Sequence, residues 1–100
     1  MEQNALQITG ILEKQYPARV SPAGVAHQDF LLQHRSRQRE AGSAREARLV
    51  LTVHCAGELV QQLQGLQLGD RVLVTGFLAM ASYRDTEKVV LHAQTLDRQD

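Results

Sequence analysis

Aromatic residues are scarce in this chain, which has no tryptophan and only Tyr16, Phe30, Phe77 and Tyr83 among its 100 residues. No apolar run approaches the roughly 20 residues that span a bilayer, and the N-terminus lacks the basic and apolar regions of a signal peptide. The single Cys55 cannot form an internal disulfide, which is typical of a reducing compartment. We therefore expect a cytoplasmic protein without membrane contact, and a length that suits one domain, residues 1–100.

An excess of either charge is also missing, since 11 basic and 11 acidic residues give a formal net charge of zero. This balance counts against a protein that holds nucleic acid by bulk electrostatics. The distribution is less even, because five arginines lie between His34 and Arg48 against only Glu40 and Glu46. At this point a solvated charged loop and a contact surface for phosphates both remain open.

The sequence offers no arrangement typical of catalysis or metal binding. Its four histidines (His27, His34, His54 and His92) are scattered, and with one cysteine they do not supply four ligands at short paired spacings. Each falls on a predicted strand or at its start, where a partly buried, hydrogen-bonded imidazole is favoured. A phosphate-binding glycine loop, a carboxylate pair and a motif around a cysteine–histidine pair are all missing. We predict no enzyme activity, no metal and no cofactor.

Alternating apolar and polar residues predict an all-β chain. Gly10 in the first strand suggests a bulge or bend, and the Ser-Pro-Ala-Gly sequence at Ser21–Gly24 predicts a turn. Helical spacing occurs only in Glu58–Leu66, where Gly65 should end a short helix. The predicted strands cover about Leu6–Leu12, Val25–His34, Leu49–Cys55, Arg71–Ala81 and Lys88–Leu96.

Three strands, one short helix and two further strands are the element order of the OB-fold, a five-stranded, partly open barrel. A β-sandwich usually needs about seven strands. The polar segment Ser36–Ala44 is predicted to be a mobile loop and Ser82–Glu87 a turn. Residues 97–100 are expected to form a frayed tail.

Several strings, in this order, resemble the primosomal replication protein N (PriB) family, relatives of bacterial single-stranded DNA-binding proteins. They are LQITGILEK, VSPAGVAHQDFLLQHRS, EAG, TGFLA and VVLHAQTL, and the resemblance covers nearly the whole chain. Single-stranded DNA-binding proteins share part of this pattern, but the His-Arg-Ser and Leu-His-Ala strings favour PriB.

The resemblance implies a non-catalytic protein of replication restart. It would bind single-stranded DNA and the PriA helicase, stabilise PriA at forks and promote primosome assembly. Related subunits form homodimers through the first strand. The corresponding edge residues in this chain are Leu6, Ile8, Gly10 and Leu12.

Binding of a single strand by an OB-fold requires a cationic groove and aromatic side chains that stack on bases, at about 1–3 kcal/mol per base. With the resemblance, the arginine cluster is interpreted as a DNA track rather than a solvated loop. The candidate residues, at loops and strand ends, are Arg19, Arg35, Arg37, Arg45, Arg48, Tyr83, Arg84 and Lys88.

The chain departs from the family pattern at two stacking positions, where Ser43 and Arg48 stand in place of aromatic residues. We therefore expect weaker, more salt-sensitive binding of single-stranded DNA. An alternative is a protein-interaction adaptor with little intrinsic DNA binding. Phe30 is predicted to lie in the core, whereas Phe77 could be a core residue or a surface platform.

Overall fold

The computed structural model describes residues 1–100 and contains six strands and one short helix. No helix in it is long and apolar enough to cross a membrane. The elements are β1 (Leu6–Gln15), β2 (Arg19–Val20), β3 (Ala26–Glu40), β4 (Ser43–Ala56), α1 (Leu59–Gln64), β5 (Arg71–Ser82) and β6 (Asp85–Gln99).

Five of the strands close into a barrel. The hydrogen-bonded order is β1-β5-β6-β4-β3, and β1 also pairs with β3 through Ile11–Gln15, which joins the two edges. The two residues of β2 pair only with β3 and add a short edge outside the barrel. Helix α1 lies between β4 and β5, so the predicted five-stranded OB-fold with one helix before the last two strands is confirmed.

The core forms because inward side chains of the closed barrel are apolar at alternate positions. Phe30 is fully buried, as predicted, and Val60 and Leu63 of α1 join the same cluster. Each fully buried side chain of this size contributes about 1.5–3 kcal/mol. The other members are Leu12, Leu32, Val53, Cys55, Val72, Val74, Leu91 and Leu96.

The prediction of a loop over Ser36–Ala44 is wrong, because strands β3 and β4 continue as a long hairpin. Fourteen residue pairs, from His27–Ala56 to Glu40–Ser43, follow one another without a register shift. Only Ala41 and Gly42 form the turn, both with positive φ (50° and 81°). The hairpin leaves the barrel and is solvated on both faces, so its sequence lacks the apolar alternation that identifies a half-buried strand.

Two smaller expectations are also corrected. Asp97–Gln99 belong to β6 and pair with β5, so the expected frayed tail is ordered strand up to Gln99. The irregularity in β1 lies between Leu12 and Lys14 rather than at Gly10. Gly10 instead meets a close neighbour, since a Cβ there would lie 2.5 Å from the Gln33 carbonyl oxygen.

A bulge in β6 decides which side chains face outward on this strand. Thr95 pairs with Thr75, but the next pair is Ala93–Gly76, so Gln94 is an extra residue. The extra residue reverses the alternation, and His92 therefore faces outward, opposite Phe77. The bulge also brings the His92 carbonyl oxygen against Gly76, where it would overlap any Cβ.

Candidate nucleic-acid interface

The distal half of the β3–β4 hairpin presents arginines on one face. Directly opposed residues of a ladder share a face and alternate residues return to it, and Arg35 opposes Arg48 while Arg37 opposes Glu46. Arg39 lies on the same side by alternation. We call this set the arginine face: Arg35, Arg37, Arg39 and Arg48, with Glu46 as its one acidic residue.

Glu46 partly neutralises the arginine face. Its Oε1 accepts hydrogen bonds from Arg35 Nε (3.0 Å) and Nη2 (2.6 Å), and its Oε2 lies 3.4 Å from Arg48 Nε. The hydrogen bond from Arg35 holds the pKa of the Glu46 carboxyl below its usual value, and the charges of Arg35 and Arg48 act in the same direction. All three side chains are exposed, so these ion pairs are weak and open to exchange.

Arg45 lies on the other face of the hairpin. It opposes Gln38 and its Nη1 lies 3.4 Å from Glu40 Oε1. The structure thus separates Arg45 from the three other hairpin candidates, with which the sequence cluster grouped it. Arg39 was not among the candidates but shares the face of Arg35, and its guanidinium donates to the Gly42 carbonyl at 2.8 Å. Strand alternation could have identified both positions if the segment had been recognised as a hairpin.

A row of rings crosses the barrel at the proximal end of the same β3–β4 face. His54 opposes Asp29 on β3 and pairs with His92 on β6, which opposes Phe77 on β5. The ring centroids of His54 and His92 are 5.2 Å apart, and those of His92 and Phe77 are 5.1 Å apart with planes inclined by 2°. His27 stacks on His54 at 5.1 Å. We call His27, Asp29, His54, His92 and Phe77 the imidazole row.

Hydrogen bonds fix the orientation of two imidazoles. His54 Nδ1 lies 2.6 Å from Asp29 Oδ1, and His54 Nε2 lies 3.1 Å from His27 Nδ1. Burial lowers the pKa of His92, and the neighbouring His54 lowers it further, while Asp29 acts in the opposite direction. Phe77 is 37% exposed, so it is a surface ring rather than a core residue.

Two predicted cationic residues lie beside this row. Arg19 opposes His27 in the β2–β3 pairing, and Lys88 lines the same groove from β6. Tyr83 and Arg84 form the turn of the β5–β6 hairpin, where Tyr83 is 94% exposed. The residues that line the groove are Arg19, His27, Asp29, Thr52, His54, Ala81, Lys88, Val90 and His92.

Comparison with known proteins places this geometry in a family. Residues 4–95 match the model of a family described as another single-strand binding protein family. The replication restart protein PriB of Photorhabdus laumondii is 38% identical over 99 residues, which cover 97% of this chain and 94% of that protein. The PriB of Photobacterium profundum is 38% identical over 96 residues, 94% of this chain and 92% of the relative. The chain belongs to the PriB family.

Solved structures give the same assignment. The PriB of Ralstonia solanacearum superposes with a TM-score of 0.87 at 27% identity, covering 99% of this chain and 100% of that one. The single-stranded DNA-binding protein of Thermus aquaticus superposes at 0.77 with 25% identity, covering 98% of this chain and 50% of that chain. The resemblance found in the sequence is confirmed, and the barrel of this PriB-family chain is shared with single-stranded DNA-binding proteins.

The four residues predicted for a dimer edge lie largely inside this PriB-family barrel. The Leu12 side chain is fully buried and Gly10 is buried, while Leu6 and Ile8 pack against the core. Their side chains are thus directed to their own subunit, and a dimer through β1 would rest on backbone pairing. The Thr9 carbonyl on this strand lies 2.7 Å from His34 Nδ1.

Cys55 is a core residue of this PriB-family chain. Its side chain is fully buried. Burial, aided by the negative charge of Asp29, raises the pKa of the thiol to about 12. The thiolate, which is the nucleophilic form, is therefore negligible at neutral pH.

Proposed function

We propose that this chain is a non-catalytic component of replication restart. It binds single-stranded DNA and the PriA helicase, stabilises PriA at forks and promotes primosome assembly, as a homodimer in the cytoplasm. The observation that carries the proposal is the arginine face of a PriB-family barrel, which gathers four guanidinium groups against one carboxylate. The names of its relatives support the part concerning replication restart.

The arginine face suits a phosphate backbone. Guanidinium groups donate hydrogen bonds to phosphate oxygens in a fixed fork geometry. Arg37 makes no ion pair, and the exposed pairs of Glu46 with Arg35 and Arg48 are weak enough for phosphates to replace the carboxylate. In this proposal the single strand follows the outward face of β3 and β4, and Arg19, Lys88, Tyr83 and Arg84 add contacts at the barrel.

A second candidate is an adaptor that binds its helicase partner but little DNA. It is favoured by the absence of any aromatic residue on the arginine face, where Arg48 occupies the position of a family aromatic. Ser43 replaces a second family aromatic on the opposite face of the hairpin. Base stacking supplies much of the affinity in other single-strand binders, at about 1–3 kcal/mol per base.

The deciding experiment is fluorescence anisotropy of a labelled ~30-nucleotide oligo-dT, a length within the range of OB-fold sites on a dimer, with and without the cognate PriA. Each titration is repeated at two salt concentrations. We expect the triple variant Arg35→Ala, Arg37→Ala, Arg48→Ala to bind at least about tenfold more weakly. The slope of log K against log salt should become shallower by about 2, because each lost phosphate contact removes about 0.7.

Arg45→Ala is the matched control, because it removes the same charge from the opposite face of the same hairpin. It should change the affinity less than twofold if the strand follows the arginine face. Binding only in the presence of PriA would support the adaptor instead. Tight, salt-insensitive binding that survives the triple variant would contradict a phosphate track on this face.

A further inference from the structure

We propose that the imidazole row is a proton-linked contact site for the phosphates of single-stranded nucleic acid, so that strand binding takes up a proton and tightens as the pH falls. This inference rests on the proposed function and adds a regulated second region to it. It concerns the groove between Arg19 and Lys88, not the arginine face.

The hydrogen bonds of the row define where a proton can enter. The Asp29 carboxylate only accepts, so His54 donates from Nδ1 and its neutral ring accepts at Nε2 from His27 Nδ1–H. His27 Nε2 is then left as a bare acceptor. A proton added there makes His27 cationic and keeps both existing hydrogen bonds.

A second proton on this pair is disfavoured. It would place two N–H groups against each other across the 3.1 Å between His54 Nε2 and His27 Nδ1. The pair therefore takes up one proton at a time. Imidazole is the side chain whose ordinary charge change lies between pH 5 and 8, so we test for this uptake between pH 6 and pH 8.

The fixed charges around the row favour an anion once that proton is present. The titratable and charged groups lining the groove are Arg19 from β2, His27 and Asp29 from β3, His54 from β4, and Lys88 and His92 from β6, while β5 contributes the uncharged Phe77. With neutral imidazoles, Asp29 offsets one of the two cations. One proton doubles the net positive charge of the groove from one to two, and a phosphate in turn stabilises the protonated form.

His92 adds a second protonation site. Its pKa is lowered in the free protein, chiefly by burial and then by His54. A phosphate in the groove opposes this effect because it supplies the missing counter-charge. Strand binding and protonation of His92 therefore reinforce each other.

The row is placed where a strand bound to the arginine face would continue. His54 and Arg48 both face outward on β4, six residues apart, with no register shift between them, which corresponds to about 20 Å along an extended strand. A strand that follows this face from the hairpin reaches the imidazole row before it leaves the barrel between Arg19 and Lys88.

The test is the affinity for dye-labelled oligo-dT between pH 6 and pH 8 at constant ionic strength, with a pH-insensitive dye. We expect the dissociation constant to be about three- to tenfold lower at pH 6, since a pKa rise of one unit corresponds to a tenfold effect. The double variant His27→Gln, His54→Gln should show a smaller change, and adding His92→Gln should shrink it to less than twofold. His34→Gln, a histidine outside the row, should keep the full change.

A second measurement does not depend on the variants folding. The ring resonances of the histidines, followed by NMR during a pH titration of the wild-type protein, should show a row histidine titrating at higher pH when oligo-dT is bound. Binding that is independent of pH, or a pH effect that persists in both row variants, would overturn the inference and leave the proposed function intact. No binding at either pH, with or without PriA, would overturn both.

Discussion

The arginine face and the imidazole row occupy the same side of the same two strands, yet their electrostatics differ. The arginine face is solvated, carries charge at every physiological pH and is opposed by one exposed carboxylate, Glu46. The imidazole row is half-buried, and in our proposal its charge depends on protons taken up at His27 and His92. The first region would respond to salt and the second to pH.

This difference follows from position relative to the barrel. Beyond the barrel the hairpin has no core beneath it, so guanidinium groups remain hydrated and screening by salt governs their attraction for phosphates. Over the barrel the same face is crowded by neighbouring strands, and burial lowers the pKa of His92. The response to salt and the response to pH thus belong to the two ends of the same β3–β4 ladder.

Replacing Gly76 should have the largest effect on one region alone, since it removes the support of the imidazole row without touching the hairpin. A Cβ at Gly76 would overlap the His92 carbonyl oxygen, which is backbone and cannot rotate away. We expect Gly76→Ala to lower the free energy of unfolding by about 3 kcal/mol, at the upper end of overpacking effects. Urea denaturation followed by circular dichroism measures it.

Gly65→Ala is the control for this experiment. Gly65 ends helix α1 with a right-handed φ of −81°, and its nearest neighbour would lie 3.4 Å from a Cβ. The free energy of unfolding should change by less than about 0.5 kcal/mol. Equal effects of the two substitutions would show that the bulge in β6 yields easily.

Removing the carboxylate from the arginine face should strengthen the binding of phosphates there without affecting the imidazole row. Glu46→Gln frees Arg35 and Arg48 for phosphates. We therefore expect about threefold tighter binding of oligo-dT, which matches the free energy that an exposed ion pair contributes. The dependence on pH should stay unchanged. Glu40→Gln, which removes the partner of Arg45 on the other face, should have no effect on affinity, and anisotropy compares the two variants.

The smallest expected effect concerns stability rather than binding. The pKa of His92 is lowered in the folded protein, so the unfolded chain binds more protons and stability is lost as the pH falls below the unfolded value of about 6.5. The melting temperature should decrease from pH 7.5 to pH 5.5, and less so in His92→Gln. An unchanged decrease in that variant, relative to His34→Gln, would assign the loss to other groups.

Much of the fold followed from the sequence because its core obeys strand alternation. Phe30, Val53 and Val74 sit at alternate apolar positions and are fully buried. The distal hairpin could not be predicted in this way, since both of its faces are polar and its strands are held by backbone pairing. The ordered end of β6 was missed for the same reason.

The candidate site was only partly predictable. The excess of arginine between His34 and Arg48 is visible in the sequence, but its division between two faces depends on the register of the hairpin. The imidazole row is non-local, since Asp29, His54 and His92 lie on three strands. His92 faces outward only because Gln94 is an extra residue in β6. No local sequence pattern indicates this bulge.

The uninterrupted β3–β4 ladder also sets the spacing between the two regions along the hairpin. Without a bulge or register shift between Arg48 and His54, the arginine face and the imidazoles are about 20 Å apart along the strand. Oligonucleotides too short to span that distance can contact only one of the two regions, the arginine face or the imidazole row. As their length is reduced, oligonucleotides held at the arginine face should therefore lose their pH dependence, and the length at which this happens measures the spacing of the two regions.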